Sequence, residues 1–370
     1  MSHSKFKTVI FQAGLIVLAA ISLITAGCSE LASGAAPPGD GGGEQADHAD
    51  RLALPSLEAV ELDGGRLRVV ATTSLIGDVL SQVGGEQIEL TTMIKPGQDP
   101  HSYTPGAQDL SAAAQAHVIF VNGWGLEAAL AEDLQNLSVN VPVVPISAGI
   151  EPLDFVESLN ARAEHEDHEE REDGEEAEAG GERDGHAPDG LSVDPHVWFS
   201  IANAERWTEN AAEVFSKLDP ENAAAYASKR DRYLQDLAGL RAYVEAEINQ
   251  VPEDRRLLVT NHDSLSYFME DYGFELVGTV LPAASTLAEP SASDLAVLIE
   301  MMEQSGLCTI FTETTVADTL ARTVAAELDQ CDEVRVIVLY TGGLGPPGSG
   351  AASFIEMYRY NVDAIVGGLK

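Results

Sequence analysis

Positive charge is scarce in this chain. Lys and Arg together number 21 against 60 Asp and Glu, so the formal net charge is -39 at pH 7. A surface of this sign repels phosphates, which argues against nucleic-acid binding but not against a cationic ligand. The 370 residues suit about two domains, and a hydrophobic content of 45% is ample for globular cores.

Cysteine is also scarce. The three cysteines are Cys28, Cys308 and Cys331, and no two of them have CxxC spacing. A thiolate metal site is therefore not indicated. Cys308 and Cys331 each precede a predicted strand, and adjacent parallel strands could bring them within bridging range. In an oxidising compartment they form either a disulfide or two free thiols, and the sequence leaves both open.

Long hydrophobic runs are absent after residue 27. The one run before it, Val9 to Ile24, follows two lysines and is short for a membrane-spanning helix. Thr25-Ala26-Gly27-Cys28 places small residues before a cysteine, as in a bacterial lipoprotein cleavage site. We expect residues 1–27 to be a lipoprotein signal peptide and Cys28 to be the lipidated residue. A plain secretory signal or an uncleaved anchor is the alternative.

Two segments have too few apolar residues to fold on their own. Residues 28–65 are rich in Gly, Pro and acids, which predicts a flexible tether to the outer face of the cell membrane. The second segment, 163–190, mixes acids with His165, His168 and His186, which predicts a disordered acidic surface loop. This loop is either a solvated insert or an accessory metal-collecting loop, because adjacent imidazoles and carboxylates favour divalent cations.

Outside these segments, short apolar runs alternate with helical patterns. The predicted strands are 67–72, 87–94, 117–121 and 141–146 in the first half, and 256–260, 275–281, 308–313 and 334–340 in the second. Buried strands alternating with helices indicate parallel βα units. We therefore predict an α/β fold of two lobes, each with a four-stranded, mostly parallel sheet flanked by helices.

One predicted helix is longer than a βα crossover requires. It starts at Asp219 and Pro220, which are typical of an N-cap and a first helical turn, and its apolar pattern continues to about Gln250. At about 1.5 Å per residue it would span about 45 Å, enough to join two lobes as a rigid strut. The predicted organisation is a first lobe at 66–218, a linking helix at 219–251 and a second lobe at 252–370.

Three histidines are predicted at the same edge of the two sheets. In open α/β sheets, ligands bind at the carboxyl ends of the strands. His101 follows the second strand, His196 follows the fourth by way of the acidic loop, and His262 ends the first strand of the second lobe. His117 begins a strand, at the opposite edge, and is expected to be structural.

The residues around these histidines also favour a ligand role. His101 and His196 share the context Asp-Pro-His, in which Pro restricts the backbone and Asp can orient the loop or the imidazole. Three neutral imidazoles suit Zn²⁺, with bonds of about 2.0–2.1 Å, whereas Mn²⁺ prefers more oxygen donors. Because the ligands come from both lobes, metal binding would hold the lobes together.

A set of motifs runs through both halves in a fixed order. The motifs are PGQDPHSY at 96–103, DPHVW at 194–198, NHD at 261–263 with Tyr267 and YG at 272–273, EPS at 289–291 and IFTE at 310–313. Over residues 67–370 the chain resembles the substrate-binding lipoproteins of bacterial zinc and manganese ABC importers, in particular those for high-affinity zinc uptake. The resemblance implies two lobes joined by a long helix, an acidic His-rich loop, and His101, His196 and His262 as metal ligands.

The chain departs from that family at one position. Many members supply an Asp as a fourth ligand in the turn after the last strand, and the aligned position here is Gly342. The candidate fourth ligands are then water or Glu313, and Glu313 could equally be a structural acid bonded to the backbone. Loss of a hard oxygen donor favours zinc further.

These observations predict a monomeric, extracytoplasmic protein that captures Zn²⁺ and delivers it to the permease of an ABC importer. A manganese or iron binder of the same class is the alternative. A zinc hydrolase or hydratase would also use three histidines. The sequence has no HExxH motif and no serine-nucleophile elbow, and only Asp263 and Glu313 are near enough to act as a base, so we do not expect an enzyme. Nothing in the sequence excludes a surface adhesin.

Overall fold

The computed structural model describes residues 51–154, 193–281, 286–287 and 289–370. Several predicted features lie outside these residues. They are the signal peptide at 1–27, the lipidation site Cys28, the tether up to residue 50, and the whole acidic loop at 163–190 with His165, His168 and His186. Across the described residues, none of the helices combines the length and the apolarity that crossing a membrane requires.

The described chain alternates strands and helices in both halves. The first half contains β1 Leu67–Ala71, α1 Ser74–Gly84, β2 Ile88–Thr92, α2 Ala107–Ala114, β3 Val118–Val121, α3 Ala131–Leu137, β4 Val143–Pro145 and α4 Ile201–Leu218. A long helix follows, α5 Ala223–Ile248. The second half contains β5 Leu257–Thr260, α6 Ser266–Tyr272, β6 Glu275–Thr279, α7 Ala292–Ser305, β7 Thr309–Glu313, α8 Thr319–Glu327, β8 Arg335–Leu339 and α9 Phe354–Leu369.

The two sheets have the same topology. Their strand orders are β2-β1-β3-β4 and β6-β5-β7-β8, and every neighbouring pair is parallel. The fold-class prediction is therefore confirmed. Because all strands of a sheet point the same way, the loops that follow the strands lie at one edge of the sheet. This is the edge at which the sequence predicted the three histidines. β8 is an edge strand, and its residues are exposed or half-buried except for buried Leu339, whereas β7 is buried throughout.

The long helix α5 connects the two lobes, as predicted. Its buried side chains recur at helical spacing along one stripe: Tyr226, Tyr233, Leu237, Leu240, Val244 and Ile248. At about 1.5 Å per residue its 26 residues span about 39 Å. A short 3₁₀ turn, Pro220–Asn222, precedes it, and Asp219 does not cap the helix with its side chain. The Asp219 carboxylate instead accepts hydrogen bonds from Tyr226 (2.7 Å) and Asn222 (2.8 Å).

The first lobe begins before the predicted boundary at residue 66. Residues 51–62 form no helix or strand, and the Leu52 carbonyl accepts a hydrogen bond from the Gly149 amide (2.9 Å). The Val60 amide donates to the Leu218 carbonyl (2.9 Å). Half-buried Leu57 and other apolar residues of this segment pack on the core. The sequence predicted a tether as far as residue 65, whereas residues 51–62 contact the first lobe, because their widely spaced apolar side chains pack on residues from later in the chain.

The second lobe contains a disulfide. Cys308 directly precedes β7 and Cys331 precedes β8, and the two are bonded with their Cα atoms 5.8 Å apart. β7 and β8 are neighbours in the sheet, so their amino ends lie side by side. Of the two outcomes left open by the sequence, the structure has the disulfide. It lies at the edge of the sheet opposite the histidines.

Candidate metal centre

The structure brings His101, His196 and His262 together. The Nε2 atom of His196 lies 3.2 Å from Nε2 of His101 and 3.3 Å from Nε2 of His262. All three side chains are buried, with 7%, 1% and 2% of their surface exposed, respectively. Among the described residues they form the one group of His, Cys, Asp or Glu whose donor atoms all lie within 4.8 Å of one another.

The spacing of these nitrogens fits one metal ion. Two imidazole nitrogens bound to Zn²⁺ at 2.0–2.1 Å in a tetrahedral arrangement are separated by about 3.3–3.4 Å. The two measured separations, 3.2 and 3.3 Å, are close to that value. Because the rings meet at Nε2, each imidazole directs a ring nitrogen at a common point. A cation bound there would take three nitrogen ligands from the protein.

Asp194 orients His196. Its Oδ1 atom accepts a hydrogen bond from the His196 amide (2.8 Å) and contacts Nδ1 of the same ring (2.7 Å). A carboxylate at Nδ1 keeps the ring proton there and leaves the Nε2 lone pair free for a metal. The Asp in this Asp-Pro-His motif therefore orients both the loop and the imidazole, as the sequence suggested.

The Asp of the other Asp-Pro-His motif acts differently. Asp99 accepts a hydrogen bond from the His101 amide (2.9 Å), which shapes the loop. Its second oxygen accepts from Thr286 of the second lobe (2.6 Å) and from Ser102 (3.0 Å). This carboxylate therefore orients the loop and connects the lobes, and the contacts described for it do not include the His101 ring.

Glu313 is adjacent to the site but outside the histidine group. One of its carboxylate oxygens contacts Nδ1 of His262, and the other accepts a hydrogen bond from Thr341 Oγ1 (2.6 Å). Both oxygens are therefore engaged on the side of the His262 ring away from the other histidines. Glu313 therefore does not join the three histidines as a fourth donor. The other prediction, a structural acid bonded to the backbone, also differs from the structure, because Glu313 contacts the side chains of His262 and Thr341.

Burial and neighbouring charges shift the proton affinities of two of these rings in opposite directions. Burial, with the nearby His196 and His262, lowers the pKa of His101 well below 6.5. Burial also lowers the pKa of His262, but the charge and hydrogen bond of Glu313 outweigh it, so the pKa is raised on balance. The Glu313 pKa is lowered, because His262 and Thr341 outweigh its burial. His101 is thus held neutral, the form that binds a metal.

Two hydrogen bonds beside the site connect the first lobe to the second. The Trp198 indole donates to the Thr341 carbonyl (3.0 Å) across the lobes. The Tyr267 hydroxyl donates to the Asp194 carbonyl (3.0 Å). Each bond joins a residue beside one ligand to the opposite lobe, so the loops that carry the histidines are held by both halves of the molecule.

Gly342 lies in the turn after β8 and faces the first lobe. A Cβ built on it would lie 3.1 Å from Cδ of Pro100 and 3.4 Å from Oγ1 of Thr315. Its backbone is outside the left-handed region, so other residue types are allowed by its conformation. The position therefore faces the His101 loop, where the resemblance to the family led us to expect a fourth ligand.

The remaining histidine of the described lobes is structural, as its position at the amino end of β3 suggested. His117 Nδ1 accepts a hydrogen bond from the Arg68 amide (3.0 Å).

Sequence reasoning missed four neighbours of the site: Asn122, Glu127, Trp198 and Thr341. Trp198 and Thr341 could have been found from their closeness in sequence to His196 and Gly342. Asn122 and Glu127 had a weaker signal, the Asn-Gly-Trp-Gly turn after β3.

Comparison with known proteins agrees with this geometry. The family described as ZnuA, the periplasmic zinc-uptake complex component A, matches residues 69–368. The manganese-binding lipoprotein MntA of Halalkalibacterium halodurans is 31% identical over 310 residues, which cover 83% of this chain and 90% of that protein. The manganese ABC transporter substrate-binding lipoprotein PsaA of Streptococcus pneumoniae is 26% identical over 313 residues, with coverage of 83% and 90%.

Solved structures share the fold. The periplasmic zinc-binding protein TroA of Treponema pallidum matches with a TM-score of 0.69 and 28% identity, over 82% of this chain and 99% of that one. The manganese-bound periplasmic metal-binding protein of Candidatus Liberibacter asiaticus matches with a TM-score of 0.66 and 25% identity, over 82% and 100%. Since the family match spans most of its length, the chain belongs to the ZnuA family of periplasmic metal-binding proteins that serve ABC importers.

Proposed function

We propose that this protein captures Zn²⁺ at His101, His196 and His262 and delivers it to the permease of an ABC importer. The observation that carries the proposal is the spacing of three buried Nε2 atoms at 3.2 and 3.3 Å. No carboxylate of the described residues joins that group. A site with three nitrogen donors and a fourth position left to an exchangeable ligand such as water suits zinc better than manganese.

Manganese is the second candidate. It is favoured by the names of relatives, since MntA and PsaA are both named for manganese, whereas TroA is named for zinc. A manganese site in this chain would need oxygen donors besides the three rings. Water could supply them, and so could a movement of Glu313 from its present place behind His262.

The decisive experiment is metal titration with a matched histidine control. The triple variant with Ala at 101, 196 and 262 should lose tight Zn²⁺ binding, while His117→Ala should retain it, because His117 lies at the opposite edge. Calorimetry with Zn²⁺, then competition by Mn²⁺, measures both affinity and preference. Tight zinc binding by the triple variant would refute the site, and a preference for Mn²⁺ would refute the choice of metal.

The anchoring and the acidic loop extend the same proposal. We propose that Cys28 is lipidated and anchors the protein outside the cell membrane, as the relatives named lipoproteins suggest.

We also propose that His165, His168 and His186 of the acidic loop add weak zinc sites beside the tight one. Deletion of 164–190 should leave one tight zinc site and reduce the number of weak ones. Loss of the tight site on deletion would make the loop histidines primary ligands instead.

Catalysis is not part of the proposal. An enzyme would need a base directed at a zinc-bound water, but Glu313 is engaged by His262 and Thr341. The side chain of Asp263 accepts from Ser266, and burial together with the Asp194 charge raises the pKa of Asp263 to about 8. We therefore expect the zinc-loaded protein to show no ester hydrolysis or CO₂ hydration above the rate of the triple variant.

A further inference from the structure

We propose that Asn122 is a positioning residue for the metal ligand His196, and that the buried carboxylate of Glu127 holds Asn122 in place. Neither residue touches the histidine group. Both lie in the turn that follows β3 of the first lobe. This inference rests on the proposed function, because it assigns these residues to the same metal site.

The first step concerns the peptide bond between Pro195 and His196. Its carbonyl accepts a hydrogen bond from Asn122 Nδ2 (2.9 Å), and its amide donates to Asp194 Oδ1 (2.8 Å). Both polar groups of this peptide therefore have partners, which determine the orientation of its plane. The same Asp194 oxygen contacts Nδ1 of the His196 ring (2.7 Å), so the ring follows the peptide.

The second step concerns what holds Asn122. The main-chain amide of Asn122 donates to Glu127 Oε1 (2.6 Å), and the same oxygen accepts from Thr72 Oγ1 (2.7 Å). Thr72 follows β1 and Asn122 follows β3, the two central strands of the sheet. Asn122 and Glu127 are 0% and 5% exposed. One carboxylate thus joins the ends of the central strands and places Asn122 relative to them.

The third step concerns the turn itself. Gly123, Trp124 and Gly125 all have positive φ, at 107°, 48° and 76°. This conformation costs free energy at Trp124, because a residue with a Cβ rarely adopts it. The Glu127 carboxylate accepts hydrogen bonds from the main-chain amide of Asn122 and from the Thr72 hydroxyl, and so stabilises the start of the turn. A buried carboxylate is itself costly, and these bonds offset only part of that cost, since burial still raises the pKa of Glu127.

The competing explanation is that Asn122 simply stabilises the lobe. Asn210 offers a matched control, because it is also buried and also donates to main-chain carbonyls. Its Nδ2 atom donates to Ile146 (2.7 Å) and Ala148 (2.8 Å), in the segment after β4. Loss of either Asn side chain should destabilise the lobe, but only the loss of Asn122 frees the peptide that carries a metal ligand.

The test compares Asn122→Ala with Asn210→Ala in the full-length protein. Zn²⁺ affinity is measured by competition with a chromogenic chelator, Co²⁺ coordination by its visible absorption, and stability by thermal unfolding without metal. We expect Asn122→Ala to weaken zinc about 10- to 100-fold, the range for partners that orient a metal ligand. Its Co²⁺ spectrum should change in position or intensity. Asn210→Ala should keep the wild-type spectrum and bind zinc within about threefold, even if it unfolds at a lower temperature.

Glu127→Gln provides a second, milder variant, because it keeps the size of the side chain and one acceptor oxygen. It should lower zinc affinity less than Asn122→Ala and in the same direction, and it serves as the test if Asn122→Ala does not fold. Equal zinc affinity in Asn122→Ala and wild type, or equal losses in Asn122→Ala and Asn210→Ala, would overturn the proposal. Failure of wild type and Asn210→Ala to bind zinc at all would instead overturn the proposed function.

Discussion

Gly342 of the second lobe faces Pro100 of the first, and a Cβ on the glycine would lie 3.1 Å from the proline Cδ. Pro100 immediately precedes the ligand His101. The turn after β8 is thus close to the metal site, yet it presents no side chain there. The Asp that the family resemblance led us to expect here is a glycine, so the turn lies beside the site without a donor side chain.

Gly342→Asp should therefore add an oxygen donor to the site. The backbone conformation permits Asp, and the Pro100 loop needs to move by only a few tenths of an ångström. Because Mn²⁺ favours oxygen ligands, the ratio of Mn²⁺ to Zn²⁺ affinity should rise, by about tenfold for a gain of about 1.4 kcal/mol. Gly342→Ala carries the same Cβ without the oxygen and is the control. If both variants change the ratio equally, the effect comes from packing and not from a new ligand.

Glu313→Gln should weaken zinc binding by about 10- to 100-fold, because the partner that orients His262 is lost. Thr341→Val removes only the hydrogen bond from Thr341 to Glu313 and should have a smaller effect in the same direction. Both variants can be compared by chelator competition at neutral pH. Unchanged zinc affinity in Glu313→Gln would show that His262 is oriented without this carboxylate.

Zinc affinity should fall as the pH is lowered. The pKa of His262 in the metal-free protein is raised above 6.5, so this ring keeps a proton at pH values where a free imidazole is neutral. Zinc must displace that proton, and the apparent affinity should drop about tenfold per pH unit for each proton displaced below the raised pKa. Above the pKa it should level off. Calorimetry in buffers of different ionisation enthalpy measures the protons released, and release of none at about pH 6 would contradict the prediction.

Removal of the disulfide should affect stability and leave the metal site intact. The bond joins residues separated by 23 positions, so its loss should cost about 3 kcal/mol in the chain-entropy account. Cys308 lies just before the five-residue strand β7, whose other end holds Glu313, about 16 Å away. The double variant with Ser at 308 and 331 should unfold at a lower temperature and bind zinc within about twofold of wild type. A large loss of affinity would show that the disulfide supports the site.

The alternation of apolar runs was sufficient to predict every described strand to within a few residues. Parallel pairing then followed from the intervening helices, and the position of His101 and His262 after strands followed from their place in the chain. These features depend on local sequence and on one general rule about the carboxyl edge of parallel sheets. They could therefore be derived without knowing which distant residues touch.

The contacts of the site could not be derived in this way. His101 and His196 stand in the same Asp-Pro-His sequence, yet Asp194 contacts its histidine ring, whereas Asp99 bonds to Thr286 of the other lobe. Likewise, Glu313 contacts the ring of His262, and residues 51–62 pack on the first lobe. The sequence by itself determined the strands, the helices and the three histidines at one edge. Only the tertiary structure decided which carboxylate serves which ring, because that depends on side chains brought together from distant parts of the chain.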